Sequence, residues 1–322
     1  MNLLPKNKDN CPHLILAPME GVGDRCFRKA LASIGGFDEA VRDFLRVPIN
    51  AHIKSLAAVY EADELAPIPL AAQLMGSNPL LMAEMAIEME QRGAPRVDLN
   101  CGCPSNTVTG KGAGSSLLKE PDSLYLIAKA MVDAVSIPVT AKLRSGFDDI
   151  SLFRENLLAA QESGIRFLTL HPRTKADGYG PPARWDLIAE AKSILKIPVV
   201  GNGDITTVEH AITMLNQTSC DALMIGRGSV INPFIFHAIK AHFAQVPYQP
   251  QWSSLIKYFE VYIGEMWAEA PERTKINKVK QLLSFLFRRE PSLLEKRNDI
   301  LRMNPTSVRA LVDDVIPILC TP

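Results

Sequence analysis

Cys103 is the residue whose neighbours best equip it for chemistry. It stands in Val97 to Ser116, VDLNCGCPSNTVTGKGAGSS, where a short apolar run ends at Asn100-Cys101-Gly102-Cys103-Pro104 and enters a loop with Gly110, Gly112 and Gly114. A cysteine just past a strand end, with small neighbours and a proline fixing the backbone behind it, can be aimed at a substrate by a fixed scaffold. Cysteine is also a common small apolar filler, so residue types alone leave catalysis and packing both open. The C-x-C spacing does not match the usual C-x2-C zinc half-site, and no second pair completes one. The six histidines form no H-E-x-x-H pair, so no metal is expected.

The elements that must position such a residue are legible in order. Eight short apolar runs, most separated by segments of helical periodicity, span His13 to Ala17, Glu39 to Asp43, Ile68 to Gln73, Arg96 to Asn100, Pro138 to Arg144, Arg166 to His171, Ile197 to Asn202 and Asp221 to Gly226. Strands buried on both faces alternating with helices predict an α/β fold, a (β/α)8 TIM barrel. Asn78-Pro79 and Glu120-Pro121 open two of the helices, and Thr206 or Thr207 caps a third. The region from Arg46 to Val59 is expected to hold the end of the second strand and the helix after it.

Unusual polar residues fall at the ends of these runs: Pro18-Met19-Glu20, Asp43, Gln73, Asn100 and Cys103, Lys142 and Arg144, His171, Asn202-Gly203-Asp204, and Gly226-Arg227. Each has an ordinary structural explanation taken singly. Their coincidence at successive strand C-termini, which converge on one mouth in a barrel, points to a site. The glycine pairs after strands seven and eight occupy the customary phosphate position of this architecture, where backbone N–H groups approach an anion. No G-x-G-x-x-G follows a strand and no G-x4-G-K-[ST] occurs, so neither a Rossmann site nor a P-loop is indicated. Lys142 and Gln73 at neighbouring strand ends could hold a flavin ring, the lysine stabilising its anionic reduced form. With Cys103 as proton donor, hydride and proton would reach opposite ends of one carbon–carbon double bond.

Composition sets the wider bounds. With 322 residues, 47% of them apolar, the chain suits one large domain and a small one. Apolar runs are strand-sized, so no membrane association is expected. The N-terminus lacks a secretion-signal pattern and the six cysteines form no disulfide framework, so a cytoplasmic setting is expected; the expected state, on which the sequence is silent, is a monomer. Basic and acidic residues balance at 35 each. After the proline-containing stretch 245–250 the pattern becomes purely helical, which divides the chain into residues 1–244 and a helical domain at 245–322. From Arg273 to Arg302 nine basic residues meet three acidic ones. Such a run is a solvated helix face or a nucleic-acid surface.

Together these motifs resemble the tRNA-dihydrouridine synthases, flavin enzymes that reduce selected uridines in tRNA. The resemblance is carried by LAPMEGV (Leu16 to Val22), AAQLMG (Ala71 to Gly76), VDLNCGCPSNTV (Val97 to Val108), AKLRSG (Ala141 to Gly146), LHPRTKADGY (Leu170 to Tyr179), GNGDI (Gly201 to Ile205) and MIGRG (Met224 to Gly228). NCGCPS, Asp43-Phe44-Leu45-Arg46-Val47 and KVKQLLSFL look most like the branch acting on position 16. The resemblance implies Cys103 as general acid. It implies FMN held by Pro18, Met19, Glu20, Gln73, Lys142 and His171, with Asn202, Gly203, Asp204, Gly226 and Arg227 around its phosphate. NADPH would reduce FMN, flavin N5 would give hydride to uridine C6, and Cys103 would protonate C5. An unperturbed thiol pKa of about 8.5 suits an acid at neutral pH. Asn100 would position the uridine, and the RNA would be held by Lys278 and Lys280 in the tail, by Tyr179, Arg144 and Lys111 near the mouth, and by Asp43. Two rival readings remain: an FMN barrel acting on a free pyrimidine, in the manner of dihydroorotate dehydrogenases, and a non-catalytic RNA-binding factor keeping the barrel as scaffold.

Overall fold

Each apolar run forms a strand beside its sequence neighbour, and the computed structural model, which describes residues 3–104 and 112–320, closes them into a ring. The strands are β1 (His13–Leu16), β2 (Glu39–Val41), β3 (Leu45–Val47), β4 (Leu70–Gly76), β5 (Val97–Cys101), β6 (Val139–Gly146), β7 (Leu168–Thr174), β8 (Val199–Asn202) and β9 (Ala222–Ile225). All pairings among them are parallel; β1 joins β9, and β2 closes the ring against β4 at Ala40 and Leu70. β2 and β3 both lie along β4, so they are two pieces of one stave and the barrel has eight.

That break corrects the expected strand Glu39 to Asp43. Its cause is a buried ionic corner. Arg28, on helix α1 (Arg25–Ile34), is 2% exposed and grips Glu64 through Nε (2.7 Å) and Nη2 (2.9 Å). Its Nη1 donates to Asp43 Oδ1 (2.6 Å) and to the Gly23 carbonyl (2.8 Å). A buried guanidinium needs such partners, and meeting them draws Asp43 towards α1 instead of the ladder. The chain regains strand form at Leu45, and only α2 (Ile53–Ala57) is helical before β4.

The surrounding helices follow their local signals. Asn78 caps α3 (Pro79–Gln91) by accepting from Leu81 N, with Pro79 in the first turn; Pro121 opens α4 (Pro121–Ala134). Next come α5 (Phe153–Glu162), α6 (Asp186–Ile194) and α7 (Val208–Thr218), the last capped by Thr207. After β9 come α8 (Arg227–Ile231) and α9 (Ile235–Phe243). Leu4, Ile15, Val41, Phe167, Val200 and Met224 pack in the barrel interior, and a larger apolar layer lies between strands and helices.

The tail forms α10 (Ser254–Gly264), α11 (Glu272–Leu286), α12 (Pro291–Arg302) and α13 (Val308–Leu319). α10 lies along α1, and its Leu255, Tyr258 and Phe259 are fully buried in the same apolar cluster as Phe27 and Leu31. Burial of each such side chain contributes about 1.5–3 kcal/mol. Glu265 binds Arg25 (3.2 Å) and Lys29 (2.8 Å), fastening the end of α10 to α1. No helix among the described residues is long and apolar enough to cross a membrane.

Candidate active site

The C-terminal ends of the strands surround a cavity of about 750 Å3, within the range of ligand-binding pockets. Every residue expected to hold the flavin lines it, together with Cys103, Asn100, Arg144 and Tyr179. Asp43, Lys278 and Lys280 do not, and Lys111 lies outside the described residues. Three aromatic or basic residues that the sequence reading does not single out for the mouth line it as well: Phe44 from the broken stave, and Phe285 and Arg288 from α11 and the turn after it. Their partners lie far along the chain, so no local pattern reveals them.

The two cysteines at the end of β5 separate clearly. Cys101 points into the protein, is fully buried, and burial first, then Asp98, pushes its thiol well above the usual range. It is packing. Cys103 faces the cavity beside Phe44, Met75 and Ala113, and its Sγ lies 3.6 Å from Glu20 Oε2. Its loop is pinned from both sides. Asn100 Oδ1 accepts from the backbone N–H groups of Gly102 (3.0 Å) and Cys103 (2.9 Å), and the Cys103 carbonyl accepts from Ser115 N and Oγ. Asn100 therefore holds the loop that carries Cys103. Its Nδ2 donates to Gln73 Oε1 (2.8 Å), and Gln73 Nε2 donates to Asp98 Oδ2 (2.7 Å).

Lys142 stands opposite Asn100 in the β5–β6 register and has no hydrogen bond or ion pair among the described residues. Burial first, and the Arg144 charge second, lower its amine from 10.5 to about 8, with Asp98 opposing. A desolvated amine without a counter-charge attracts an anionic or electron-rich group. Arg144 spans the mouth: Nε donates to Gly102 O (2.8 Å), and Nη1 to Thr174 O (2.8 Å) and Gly178 O (2.9 Å). Tyr179, 58% exposed, has the guanidinium carbons of Arg144 and Arg227 at 5.3 and 4.8 Å from its ring centre.

His171 is neutral. Burial and the charges of Lys142, Arg144, Arg173 and Arg227 push it well below 6.5. Its Nε2 lies 3.1 Å from Arg173 Nη1, and because a guanidinium only donates, Nε2 accepts and the proton sits on Nδ1. Arg173 also donates to Asp204 Oδ2 (2.6 Å), while Arg227 lies 3.4 Å from Oδ1. Burial works to raise the Asp204 carboxyl, but the Arg173 bond, the Ala183 N–H and the two cations hold it below the ordinary value. Its carboxylate thus orients both arginines at the cavity wall.

Glycines just after β8 and β9 let two turns approach closely at the cavity wall. Gly203 has φ +117, and a Cβ there would come within 2.9 Å of His171 Cδ2; a Cβ on Gly228 would lie 2.0 Å from the Ile205 carbonyl oxygen. α8 has only five residues, so it adds little helix dipole, and the positive character there comes from Arg227 and the first-turn N–H groups. The lining carries four cations, Lys142, Arg144, Arg227 and Arg288, against Glu20 and the arginine-bound Asp204, so the mouth is electropositive. Among the described residues no group of three or more His, Cys, Asp or Glu is placed to hold a metal ion.

A family model described as dihydrouridine synthase matches residues 15–307. The chain belongs to the dihydrouridine synthase family. It is 37% identical to a tRNA-dihydrouridine(16) synthase of Shewanella oneidensis over 86% of this chain and 90% of the relative. It is 36% identical to the tRNA-dihydrouridine(16) synthase of Pseudomonas putida over 86% and 89%. A probable tRNA-dihydrouridine synthase 1 of Synechocystis is 40% identical over 71% of this chain and 65% of its own length. Among solved structures, a 2-naphthoyl-CoA reductase aligns with TM-score 0.56 over 94% of this chain and 67% of its own at 12% identity. Histamine dehydrogenase from Rhizobium sp. 4-9 aligns at 0.54 over 73% and 46%, with 14% identity, and both likenesses are of fold alone. This dihydrouridine synthase is thus an oxidoreductase acting on tRNA uridine, built on a TIM barrel.

Both tail lysines expected to bind RNA also have partners within the protein, and both remain part-exposed. Lys278 pairs with Asp24, the N-cap of α1. Lys280 donates to the carbonyls of Leu301 (2.8 Å) and Met303 (2.5 Å), closing the C-terminal end of α12. Asp43 is likewise held by Arg28 in the ionic corner.

Proposed function

We propose that this dihydrouridine synthase reduces the C5–C6 double bond of uridine 16 in tRNA, with FMN as cofactor, NADPH as reductant and Cys103 as proton donor. The position rests on the relatives named for it, which align along most of the chain. One observation carries the chemistry: the Cys103 thiol, the unpartnered Lys142 amine and the Gly203–Gly228 cradle share one electropositive cavity. Lys142 and Gln73 would hold the flavin ring, His171 and Asn202 would flank it, and Gly203, Gly226 and Arg227 would receive its phosphate. FMN, once reduced by NADPH, supplies the hydride for uridine C6.

The protein's own part is to hold the base and the proton. Asn100 and Ser115 hold the backbone N–H and carbonyl of Cys103, so the thiol proton would be presented to C5 from a fixed backbone position. The thiolate left behind is reprotonated from solvent. The uridine must leave its stack, which costs a few kcal/mol, so phosphate contacts have to offset about that much. Arg144, Arg227 and Arg288 at the rim are suited to this, with Tyr179 offering a stacking face. In this reading residues 1–244 are the catalytic barrel and 245–322 the tRNA-holding unit of a cytoplasmic monomer.

The deciding measurement is mass-spectrometric mapping of dihydrouridine in tRNA from cells lacking this protein, complemented with wild type or Cys103→Ala. Loss at position 16, restored by wild type and at least about a hundredfold more slowly by the variant, is the expected result. An unchanged tRNA profile together with reduction of a free pyrimidine would replace this reading with the small-substrate one. Equal complementation by both chains would remove Cys103 from the chemistry.

A further inference from the structure

The barrel interior beneath the mouth is not wholly apolar. Arg96, 3% exposed, donates through Nε to Glu39 (2.6 Å) and through Nη1 to Thr140 Oγ1 (2.6 Å), with Asp98 Oδ1 at 3.5 Å. Thr140 Oγ1 accepts that bond and donates its own O–H to Asp98 Oδ1 at 2.5 Å. Asp98 is fully buried, and its other oxygen takes the Gln73 amide proton. From there the bonds run through Asn100 to the Cys103 loop.

The direction of this chain is fixed from both ends, by backbone N–H groups that can only donate and by a carboxylate that can only accept. An Asn or Gln amide can face either way, because its oxygen and nitrogen ends are nearly the same shape. A carboxylate can only accept. With Asp98 accepting, Gln73 must turn its nitrogen down and its oxygen up; Asn100 must then give its nitrogen to Gln73, which leaves its oxygen for the N–H groups of Gly102 and Cys103. We propose that Asp98 is a positioning residue for the reaction: its carboxylate sets the orientation of the Gln73 and Asn100 amides and thereby holds the loop that presents Cys103. The proposal rests on Cys103 being the proton donor.

The isosteric variant Asp98→Asn tests it by changing one atom's role. An amide nitrogen on the Oδ1 side would face Arg96 and the Thr140 proton, and the guanidinium has no acceptor to offer. The nitrogen therefore turns towards Gln73, which can rotate to meet it. Gln73 then offers nitrogen to Asn100, Asn100 turns its oxygen to Gln73, and its NH2 group confronts the N–H groups of Gly102 and Cys103. The loop loses its cap with no change in side-chain volume.

The measurements use the full-length flavin-bound enzyme. Asp98→Asn is expected to fold, to hold its flavin when FMN is supplied in excess, to keep KM for tRNA within about twofold, and to lose about a hundredfold in kcat, as a misplaced reacting group does. Alkylation of Cys103 by iodoacetamide, followed by mass spectrometry of its peptide, should quicken about tenfold, the effect of losing the two cap bonds. Adding Gln73→Glu moves the carboxylate one step along the chain, where it accepts both from the new amide at position 98 and from Asn100. Asn100 then recovers its native orientation, so the double variant should return the alkylation rate to within about twofold of wild type. An Asp98→Asn chain that fails to fold, an alkylation rate unchanged from wild type, or a double variant no closer to wild type than the single one would overturn the proposal. If wild type itself left tRNA uridine unreduced, the proposed function would fall while the alkylation rates would still decide the role of Asp98.

Discussion

Lys142 shows how a single residue's surroundings alter an ordinary side chain. Its amine is lowered to about 8 because burial penalises the charge, Arg144 repels it and no carboxylate bonds it. An unfolded lysine titrates near 10.5, so between about pH 8 and 10.5 the unfolded chain holds a proton that the flavin-free fold has released. The cost of charging Lys142 in the fold is therefore fully present below about pH 8 and is relieved as pH rises through that window. A flavin seated against the amine reverses this by favouring the charged form. FMN affinity is expected to weaken as pH rises from about 8 towards 10, with proton uptake on binding, and Lys142→Met should abolish that pH dependence. Calorimetric titration in buffers of differing ionisation heat reads both, and a flat profile in wild type would remove Lys142 from the flavin site.

At the scale of elements, the glycine-lined wall proposed to receive the phosphate depends on how closely the turn after β8 and the start of α8 approach each other. Gly228 makes that approach possible: its missing Cβ leaves room for the Ile205 carbonyl, which is backbone and cannot step aside cheaply. Gly228→Ala is expected to cost at least about 1–3 kcal/mol of stability, the usual penalty for overpacking, and to weaken FMN binding more than it weakens the fold. Urea midpoints with and without FMN test this. Equal midpoints for variant and wild type in both conditions would mean that the two turns do not need their close contact. The broken second stave belongs to the same scale. Arg28, Glu64 and Asp43 hold the chain away from the ladder at the point where Phe44 turns into the cavity.

For the whole molecule the main result is that barrel and tail share a core. Removing residues 252–322 would uncover Phe27 and Leu31 on α1 and strip the cavity of Phe285 and Arg288, so a truncated barrel cannot serve as a test for small substrates. Substitution within the full chain is cleaner. Arg288→Ala is expected to weaken tRNA binding and to reduce the slope of log affinity against log salt by about one, with FMN binding unchanged. Filter binding across a salt series provides that slope; an unaltered slope would place Arg288 away from the RNA.

The alternation of strand and helix, the capped starts at Asn78 and Thr207, and the gathering of polar residues at strand ends are all legible in the sequence. Each of these depends on signals within a few residues or on the two-residue period of a strand. The same period also carries a subtler hint, since Asp98 and Asn100 lie two apart and share a strand face. Tertiary structure alone decided the rest. Asn100 became the support of the Cys103 loop, Lys278 and Lys280 gained partners on α1 and α12, and Arg288 entered the mouth. The physical reason is that a polar side chain takes its role from whichever donor, acceptor or charge the fold brings within about 3 Å, and those partners lie far apart along the chain.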